Sequence, residues 1–346
     1  MVMKNKLASV ADTIDQRLKT VFDHAFSRES NDFFNPVPPL EINLELQALT
    51  LRGGKRLRPA LMVAAYELFD DNALENDTLL DAACAMELLQ SYFLIHDDIM
   101  DGDSVRRGGA SVHASLQQKT GDAHMGVYLG ILAGDLGVAL HEWVLSQLSC
   151  APRTRQRLHQ LFSRMHMDVV MGQTLDLQGT ASPEDIVSRK TASYTTVGPL
   201  CCGAAIGGAT EHQLAQIAAM ARPLGVAFQY RDDLIGMFGD EKVAGKPVGS
   251  DLRNGKRTLL LTDAIAHLTD DDRDTLTSLL DTSPLNDDAL TRALALIEKS
   301  GARARCEKRI DILCQEVLGA LSSLTLRKTG TAFLEWLTRL LAYREM

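Results

Sequence analysis

Residues 76–101 read NDTLLDAACAMELLQSYFLIHDDIMD. Asn76 or Asp77 can cap the start of a helix, and apolar side chains then recur at helical spacing as far as the acidic end at Asp101. The whole chain has 346 residues, of which 45% are apolar and only 5% are aromatic. No segment alternates apolar and polar residues between hairpin turns, which disfavours a β-rich fold. These features predict an all-α protein in which residues 1–346 form a single domain.

Three other stretches indicate helix boundaries. Residues 1 to about 30 are expected to form a helix, followed by a Pro-rich connector at 33–39. Ser182 precedes a proline and two acidic residues, which is typical of a helix start. Thr210 begins a capping box, and the helix that follows carries Pro223, where we expect a bend. Short joints between the helices agree with one helical domain.

An acidic cluster ends the helix of residues 76–101. On an α-helix, residues four apart lie on one face about 6 Å apart along the axis, so Asp97 and Asp101 can present carboxylates to the same cation. Asp98 lies on the neighbouring edge. Carboxylates at this spacing repel one another, and magnesium takes one or two of them together with waters and substrate phosphates. The cluster therefore predicts a magnesium site, with a solvated helix end as the alternative.

A second acidic pair follows another long apolar helix. Residues 228–240 read FQYRDDLIGMFGD, with Asp232 and Asp233 placed as Asp97 and Asp98 are in the first segment. Two such pairs on the walls of one cavity can hold magnesium ions around a diphosphate. This pairing favours a diphosphate ester as the substrate.

Basic residues accompany the acidic segments. Residues 53–59 read GGKRLRP, in which a flexible glycine pair and three cations precede a helix and suit a second diphosphate. An exposed basic turn is the alternative. Further cations follow the acidic segments or lie on another helix, namely Arg106, Arg107, Lys190, Lys246 and Lys256. Since the formal net charge is −9, we interpret these cations as local phosphate sites.

The overall charge and the cysteine pattern exclude some classes of protein. A net charge of −9 disfavours nucleic acid as a partner, because binding its phosphate backbone needs a basic face. The six cysteines include no CxxC pair, and no N-terminal apolar stretch is typical of a signal peptide, so a cytoplasmic location is expected. The most apolar window, 127–140, is interrupted by Asp135, and we therefore expect no membrane span.

The ordered set of motifs resembles the polyprenyl synthetase family of trans-isoprenyl diphosphate synthases. The motifs are Gly-Gly-Lys-Arg-x-Arg-Pro, Asp-Asp-x-x-Asp with Arg-Arg-Gly, Gly-Gln-x-x-Asp-Leu, Lys-Thr, Phe-Gln-x-x-Asp-Asp and Gly-Lys, and they lie within about 44–256. The resemblance implies a helical bundle of the isoprenoid synthase type with a deep central cavity. It also implies about three magnesium ions and a homodimer.

The resemblance implies a role for each matching residue. The site for isopentenyl diphosphate is implied at Lys55, Arg58, Gln90 and Arg107. Magnesium ligands are implied at Asp97, Asp101 and Asp232, with Asp98 and Asp233 as supporting carboxylates. The allylic diphosphate, dimethylallyl or geranyl, is implied to bind Arg106, Lys190, Lys246 and Lys256. Stabilisation of a carbocation is implied for Thr191 and Gln229, and a place at the same cavity for Gln173 and Asp176.

The implied reaction begins with ionisation of the allylic diphosphate, followed by attack of the alkene of isopentenyl diphosphate and loss of a proton. In the family's usual mechanism the released diphosphate takes that proton, so His96 is assigned a packing or capping role. Apolar helix faces are expected to keep water from the cation. Gly236 stands where the second motif commonly has a third Asp, and 344–346 lack the basic ending of some relatives and are assigned no role.

Product length is expected to depend on the helix that carries Asp97. Phe93 lies about one helical turn before Asp97, a turn being about 5.4 Å long, and Tyr92 is its neighbour. Two aromatic rings here resemble the pocket floor of farnesyl diphosphate synthases. The glycine at position 236 is instead common among geranylgeranyl diphosphate synthases. We expect a C15 product in preference to C20.

Two other functions compete with this interpretation. A class I terpene cyclase also ionises a diphosphate on an Asp-rich helix, but it generally has an Asn/Ser/Glu metal motif second and no site for isopentenyl diphosphate. Asp232, Lys55 and Arg58 disfavour that reading. A non-catalytic subunit of a heteromeric synthase would be expected to have lost one acidic cluster, whereas this chain has both. A short-chain prenyltransferase is therefore favoured.

Overall fold

The computed structural model describes residues 1–26, 40–239, 248–253, 255–282, 284–324 and 327–344. In this part of the chain the regular structure is helical apart from one two-stranded hairpin, so the all-α prediction is confirmed. The predicted Pro-rich connector at 33–39 lies outside the described residues, and so does Lys246.

Helices follow one another along the described part of the chain. The first are α1 (Val2–Ala25), α2 (Glu41–Leu51), α3 (Leu57–Tyr66), a 3-10 turn (Ala73–Glu75) and α4 (Asp77–Asp101). Next come the hairpin strands β1 (Val105–Arg106) and β2 (Gly109–Ala110), then α5 (Val112–Thr120), α6 (Ala123–Ser146) and α7 (Pro152–Gln178). The remainder are α8 (Pro183–Ile186), a π-helix (Val187–Val197), α9 (Gly198–Ile206), α10 (Glu211–Phe238), α11 (Ser250–Arg253), α12 (Leu259–His267), α13 (Asp270–Leu280), α14 (Asp287–Lys299), α15 (Ala302–Ser323) and α16 (Lys328–Tyr343).

The predicted helix starts are present. The side chain of Asn76 accepts a hydrogen bond from the backbone N–H of Leu79 at 2.9 Å and caps α4. Ser182 accepts one from the N–H of Asp185 at 3.1 Å, and a proline follows it as the first residue of α8. Both caps satisfy N–H groups that have no partner within their helix. Helix α10 continues through Pro223.

The chain divides into two compact units, each made of several segments. The first comprises residues 1–160, 201–210 and 327–330. In it α4 packs along α6 and contributes Met86 and Leu89 to the core, both with no exposed surface. This packing holds α4, whose acidic end includes the buried Asp98, in the first unit. The single-domain organisation remains a prediction.

Glycines let α4 and α6 approach closely within the first unit. A Cβ atom added at Gly134 would lie 2.2 Å from Nε2 of His96, far inside contact distance. At Gly137, one turn further along α6, the nearest atom to an added Cβ would be 3.4 Å away, on Leu46. The imidazole of His96 therefore occupies the space that Gly134 leaves open.

The second unit comprises residues 161–200, 211–326 and 331–346. Its core surrounds α10, which packs against the π-helix and α15 and buries Leu234 together with Leu260 and Leu313. The π-helix also approaches α10 closely, since a Cβ added at Gly225 would lie 2.4 Å from that of Ala192. Helix α10 is thereby held along its length, and its acidic pair has a fixed position within this unit.

Two described helices are long and apolar enough to cross a membrane by length and composition alone. In α4 the relevant window is 78% buried inside the protein, as in the core helix of a soluble protein. In α6 it is 33% buried. Such helices are weak evidence for a membrane span, and the expectation of none stays a prediction.

Candidate active site

The acidic end of α4 holds Asp97, Asp98 and Asp101. Asp98 is buried, and its Oδ1 accepts a hydrogen bond of 2.7 Å from Nε of Arg106 and a second contact from Nη2 of the same guanidinium. The same guanidinium lies 3.9 Å from Oδ2 of Asp97, whose side chain is 24% exposed. Burial raises the pKa of Asp98 to about 6, although the guanidinium opposes the rise. The predicted allylic diphosphate ligand Arg106 is therefore paired with the first acidic cluster.

The hairpin after α4 positions two predicted phosphate ligands. Arg107 and Gly108 occupy its turn with φ values of 53° and 71°, the positive values that a tight hairpin turn requires. Arg52 fastens the hairpin by donating from Nη1 to the carbonyl oxygens of Arg106 at 2.9 Å and Ala110 at 2.8 Å. Sequence reasoning assigned Arg52 no part, because its partners are backbone oxygens more than fifty residues away.

The three cations of the GGKRLRP segment differ in their surroundings, since Arg56 is buried in ion pairs and the other two are more exposed. Arg56 is the N-cap residue of α3. It is buried, where it contacts the buried carboxylate of Glu87 and donates to Oδ1 of Asp15 at 2.7 Å. Lys55 is exposed, and Arg58 is half-buried in the first turn of α3. The middle cation thus joins α1, α3 and α4, and the cations on either side of it are those that the sequence predicted for phosphate.

The glycine pair brings Arg107 beside this segment. A Cβ added at Gly54, where φ is 145°, would lie 4.0 Å from the guanidinium carbon of Arg107. Burial lowers the pKa of Arg107, an effect that the carboxylate of Glu87 opposes and the cations Arg56 and Arg58 reinforce. Two of the residues predicted for isopentenyl diphosphate, Arg58 and Arg107, are therefore close enough to influence each other's charge, and Lys55 directly follows Gly54 in the chain. The fourth, Gln90, lies half-buried on α4.

The predicted chain-length residues lie in the same stretch of α4. The rings of Tyr92 and Phe93 have their centroids 5.1 Å apart, and Phe93 is 9% exposed. His96 meets the ring of Tyr92 edge to face at 4.7 Å, and its Nε2 lies 3.1 Å from the carbonyl oxygen of Ile131. His96 therefore has the packing role expected for it.

The second acidic segment lies on α10 and ends a chain of hydrogen bonds. Thr191 donates from Oγ1 to Oε1 of Gln229 at 2.8 Å, and Nε2 of Gln229 donates to Oδ1 of Asp233 at 2.8 Å. The N–H of Leu259 donates to the other oxygen of Asp233 at 3.0 Å. Burial raises the pKa of Asp233 to about 7, an effect that the bond from Gln229 opposes. The two residues predicted to stabilise a carbocation are thus joined to the acidic pair.

Lys190 and Thr191 are carried by the π-helix rather than by an ordinary α-helix. Lys190 donates from Nζ to Oδ2 of Asp176 on α7 at 2.7 Å. A Cβ added at Gly172 would lie 2.6 Å from the backbone nitrogen of Lys190, so the Gly-Gln-x-x-Asp-Leu motif needs its glycine for close approach. Gln173 of this motif follows Gly172 on α7. The sequence predicted the residues, but not the wide helix that presents them.

An aspartate from α11 lies beside the glycine of the second motif. A Cβ added at Gly236 would be 3.6 Å from Oδ2 of Asp251. The Nζ of Lys256, a predicted phosphate ligand, is 3.7 Å from Oδ1 of the same carboxylate. A carboxylate therefore stands near the position where the motif commonly has a third Asp. Asp240, the acidic residue four positions after Gly236, lies outside the described residues.

Arg344 belongs to the ending 344–346, which was assigned no role from the sequence, and it contacts the second acidic pair. Nη2 of Arg344 contacts Oδ1 of Asp232, the predicted direct metal ligand on α10. The guanidinium carbon lies 4.2 Å from the ring centroid of Phe228, and Nε of Arg231 donates to the carbonyl oxygen of Arg344 at 2.7 Å. No signal in the sequence connects residues so far apart. Glu345 and the residue after it lie outside the described part of the chain.

The donor chemistry suits a hard divalent cation. Among the described residues, no group of three His, Cys, Asp or Glu side chains converges to hold an ion. The acidic residues come in pairs instead, and Oδ2 of Asp98 is buried without a hydrogen-bond partner in the described part of the chain. Magnesium takes one or two carboxylates and completes its shell with water and phosphate oxygens, so the pairs fit it.

A family profile and similar sequences indicate the same protein family. The profile named Polyprenyl synthetase matches residues 41–297. A short chain isoprenyl diphosphate synthase of Methanocaldococcus jannaschii is 31% identical over 300 residues, which cover 84% of this chain and 83% of that protein. A farnesyl diphosphate synthase of Geobacillus stearothermophilus is 34% identical over 220 residues, which cover 60% of this chain and 69% of that protein.

The fold is shared with a solved structure over nearly its whole length. The crystal structure of a geranylgeranyl pyrophosphate synthase from Corynebacterium glutamicum, complexed with isoprenyl diphosphate and magnesium, aligns with a TM-score of 0.89 and 28% identity. The alignment covers 98% of this chain and 99% of that one. The acidic segments, the basic segments and the helical fold thus lead to one assignment. The chain belongs to the polyprenyl synthetase family, and it is a prenyltransferase.

Proposed function

We propose that the enzyme is a short-chain trans-prenyltransferase that condenses isopentenyl diphosphate with an allylic diphosphate and makes the C15 product in preference to C20. The observation that supports this reaction best is the hydrogen-bonded chain from Thr191 through Gln229 to Asp233, beside Asp232. It places two oriented side-chain dipoles next to a predicted metal ligand. Such preorganised dipoles stabilise charge that develops in a transition state.

Magnesium is the proposed cofactor, with about three ions per site. Asp97, Asp101 and Asp232 are the proposed direct ligands, while Asp98 and Asp233 are buried and act as supports. When bound, magnesium neutralises the diphosphate and makes it a better leaving group. The magnesium in the C. glutamicum synthase supports a divalent ion here.

The basic residues are proposed to release the carboxylates that they contact in the free protein and to bind phosphate oxygens instead. Arg106 is held by Asp98 and Lys190 by Asp176, so both cations are already oriented in the free protein. A diphosphate offers stronger, doubly charged acceptors than one carboxylate, and guanidinium groups bind it through two parallel hydrogen bonds. Lys246 and Lys256 are proposed to contribute to the same allylic diphosphate.

Isopentenyl diphosphate is proposed to bind the neighbouring cations Arg58 and Arg107, together with Lys55 of the same GGKRLRP segment and Gln90 of α4. Arg56 does not take part, because its guanidinium is buried between Glu87 and Asp15. Its contribution is to hold the segment so that the flanking cations remain outside the core.

The carbocation step is proposed to depend on two things that the chain supplies. The hydroxyl of Thr191 and the amide of Gln229 direct their oxygen dipoles to the developing positive charge. Apolar helix faces exclude water, which would otherwise capture the cation. The proton lost at the end passes to the released diphosphate, so no residue of the chain is needed as a general base, and His96 keeps its packing role.

Product length is proposed to be limited by Tyr92 and Phe93. The Tyr92 ring is supported on one side by Phe93 and on another by His96, so it cannot easily turn aside for a longer chain. The similar proteins do not decide the length, since they include a farnesyl synthase and a geranylgeranyl synthase. The aromatic pair is therefore the reason for favouring C15.

The test is incubation of the purified protein with magnesium, labelled isopentenyl diphosphate and, separately, C5, C10 and C15 allylic diphosphates. The dephosphorylated alcohols are then separated by chromatography. Farnesol from the C5 and C10 primers supports the proposal, and Tyr92→Ala should then extend the product. Geranylgeraniol as the endpoint would contradict the chain-length argument only. A cyclic hydrocarbon without condensation would identify a terpene cyclase, and a protein inactive alone would indicate a non-catalytic subunit.

A homodimer is proposed from an apolar face of α6. Met125, Tyr128 and Leu132 are spaced three and four residues apart on that face and are 41%, 57% and 51% exposed. A second copy of the chain is the proposed occupant. Tyr128→Glu should give a monomer in analytical ultracentrifugation, whereas Ile312→Glu, also at an exposed apolar position, should not. A Tyr128→Glu protein that remains dimeric would exclude this face.

A cytoplasmic location is proposed on the basis of the cysteines. All six are free thiols, and five of them are buried. Free thiols persist in reducing compartments, whereas exported proteins commonly pair them. Cell fractionation with an antibody against the chain would test this location.

A further inference from the structure

Arg344 is held in the second unit by three separate contacts. Its Nη2 contacts Oδ1 of Asp232, its guanidinium carbon lies 4.2 Å from the centroid of the Phe228 ring, and its carbonyl oxygen accepts hydrogen bonds from Arg231. The last of these fixes the backbone, and the ring contact fixes the plane of the guanidinium. The side chain of Arg344 is 16% exposed. A cation is thus built into the immediate surroundings of a predicted metal ligand.

One edge of this guanidinium is only half used. Nε and Nη2 share the edge through which arginine binds carboxylates and phosphates with two parallel hydrogen bonds. Nη2 is occupied by Asp232, but Nε of Arg344 is buried and has no hydrogen-bond partner among the described residues. A buried N–H without an acceptor is unfavourable unless a ligand supplies one. The edge therefore has room for a second anionic oxygen.

The ion pair with Asp232 is exchangeable. The carboxylate of Asp232 is 42% exposed, and pairs with such exposure contribute little to stability because water competes with them. A divalent cation that takes the carboxylate leaves the guanidinium without its partner, while the ring of Phe228 and the bonds from Arg231 keep it in place. The cation is then next to whatever anion the metal brings.

We propose that Arg344 is a binding residue of the diphosphate site that holds Asp232 in the free protein and transfers its Nε and Nη2 donors to a diphosphate when magnesium takes Asp232. The inference rests on the proposed function, since it needs Asp232 to be a magnesium ligand. It predicts two opposite effects of removing the guanidinium. Magnesium-type ions should bind the free protein more tightly, because they no longer compete with Arg344. A diphosphate should bind the magnesium-loaded protein less tightly.

The experiment measures binding and not turnover. Mn²⁺ binding to the free protein is followed by electron paramagnetic resonance, and binding of inorganic pyrophosphate in magnesium by isothermal titration calorimetry. For Arg344→Gln we expect about threefold tighter Mn²⁺ binding, as for release of a partly exposed ion pair. We expect pyrophosphate to bind about tenfold more weakly or worse, as for loss of a hydrogen bond to a charged group. Arg339→Gln, which removes an exposed arginine from α16, is the control and should match the wild type.

The outcomes separate this inference from the proposed function. A wild-type protein that binds neither Mn²⁺ nor pyrophosphate contradicts the proposed function itself. Normal wild-type binding, with Arg344→Gln within twofold of Arg339→Gln in both measurements, contradicts only the role of Arg344. Changes in the same direction for both ligands would also overturn it, because they indicate a general loss of structure.

A second variant keeps the test decisive if Arg344→Gln does not fold. Arg344→Lys retains the positive charge but lacks the Nε donor and the planar fork. It should leave Mn²⁺ binding to the free protein near the wild-type value and still weaken pyrophosphate about threefold or more. Unchanged pyrophosphate binding in Arg344→Lys would show that charge alone suffices and would exclude the proposed two-donor contact.

Discussion

Gln229 donates a hydrogen bond from Nε2 to Oδ1 of Asp233, one turn further along α10, over 2.8 Å. Because the amide nitrogen is committed to the carboxylate, the amide oxygen must face the other way, where Thr191 donates to it. The buried carboxyl of Asp233 therefore decides which way the oxygen and the nitrogen of this amide face. With the role proposed for Gln229, Asp233 is a positioning residue that would act on the reaction through this amide.

Asp233→Asn should lower kcat by about 10- to 100-fold, as for the loss of an aligned dipole at a developing charge. In either orientation its new amide nitrogen faces a donor, from Gln229 on one side or the N–H of Leu259 on the other. The KM for isopentenyl diphosphate should change much less. Steady-state kinetics give both values, and Asp271→Asn, at an exposed aspartate, is the control. Retention of kcat within twofold would contradict the positioning role.

The same carboxyl should make stability depend on pH in the metal-free protein. Its folded-state pKa of about 7 lies above the ordinary value of 3.8, so the folded chain keeps the proton of Asp233 to higher pH than the unfolded chain does. The free energy of unfolding should therefore fall as pH rises from about 4 to about 7 and be independent of this group above that. Urea unfolding in EDTA measures it.

Comparison with Asp233→Asn isolates the contribution of this one group. Burial also raises the pKa of Asp98, so the wild-type curve contains a second component of the same sign. The difference between wild type and variant should decrease across this pH range. A difference that does not vary with pH would mean that Asp233 is ionised in the folded state throughout.

Lys55 and Arg56 are adjacent cations whose replacement we expect to have different effects: loss of substrate binding for Lys55 and loss of stability for Arg56. Arg56→Ala leaves Glu87 buried without its cation, which destabilises a protein by about 3–5 kcal/mol. Lys55→Ala should leave the urea midpoint unchanged and raise the KM for isopentenyl diphosphate about tenfold, as for loss of a charged phosphate contact. Unfolding curves and kinetics on both variants check this division. Equal destabilisation by the two substitutions would contradict it.

Gly134 and Gly137 form a matched pair on α6. An alanine at Gly134 would place its Cβ against the imidazole of His96, and such overpacking destabilises by about 1–3 kcal/mol. An alanine at Gly137 meets only ordinary contacts, and the gain in helix propensity, up to about 1 kcal/mol, should make it neutral or stabilising. Thermal unfolding distinguishes the two. Similar midpoints for both variants would show that His96 moves away without loss.

The helix boundaries and the acidic and basic segments could be predicted from the sequence because their signals are local. The caps at Asn76 and Ser182, for example, depend on residues within one turn. The π-helix that carries Lys190 could not be predicted, because it packs against Gly172 of α7 and the sequence does not show which helices pack together. The division between Lys55 and Arg56 depends on burial against Glu87, which is also a tertiary property.

The contact of Arg344 with Asp232 was missed for a related reason. The two residues are 112 positions apart, and nothing in the local pattern of α16 indicates which helix it meets. The role of Arg52 is similar, since backbone oxygens leave no trace in side-chain patterns. The contacts of Arg52 and Arg344 thus required the structure, whereas the roles of the motif residues stay predictions.

The acid–base pairs of the site should allow the protein to fold before it binds metal. Arg106 neutralises Asp98, Lys190 neutralises Asp176 and Arg344 neutralises Asp232, so the fold carries its own substitutes for the cofactor charge. Zinc fingers differ in this respect, because they stay unfolded until their metal arrives. We expect this chain to reach its helical structure in a chelating buffer, with circular dichroism unchanged on adding magnesium. The newly synthesised enzyme would then be folded before it binds metal and substrate. A shortage of magnesium would make it inactive without unfolding it, so it would not become a substrate for proteases.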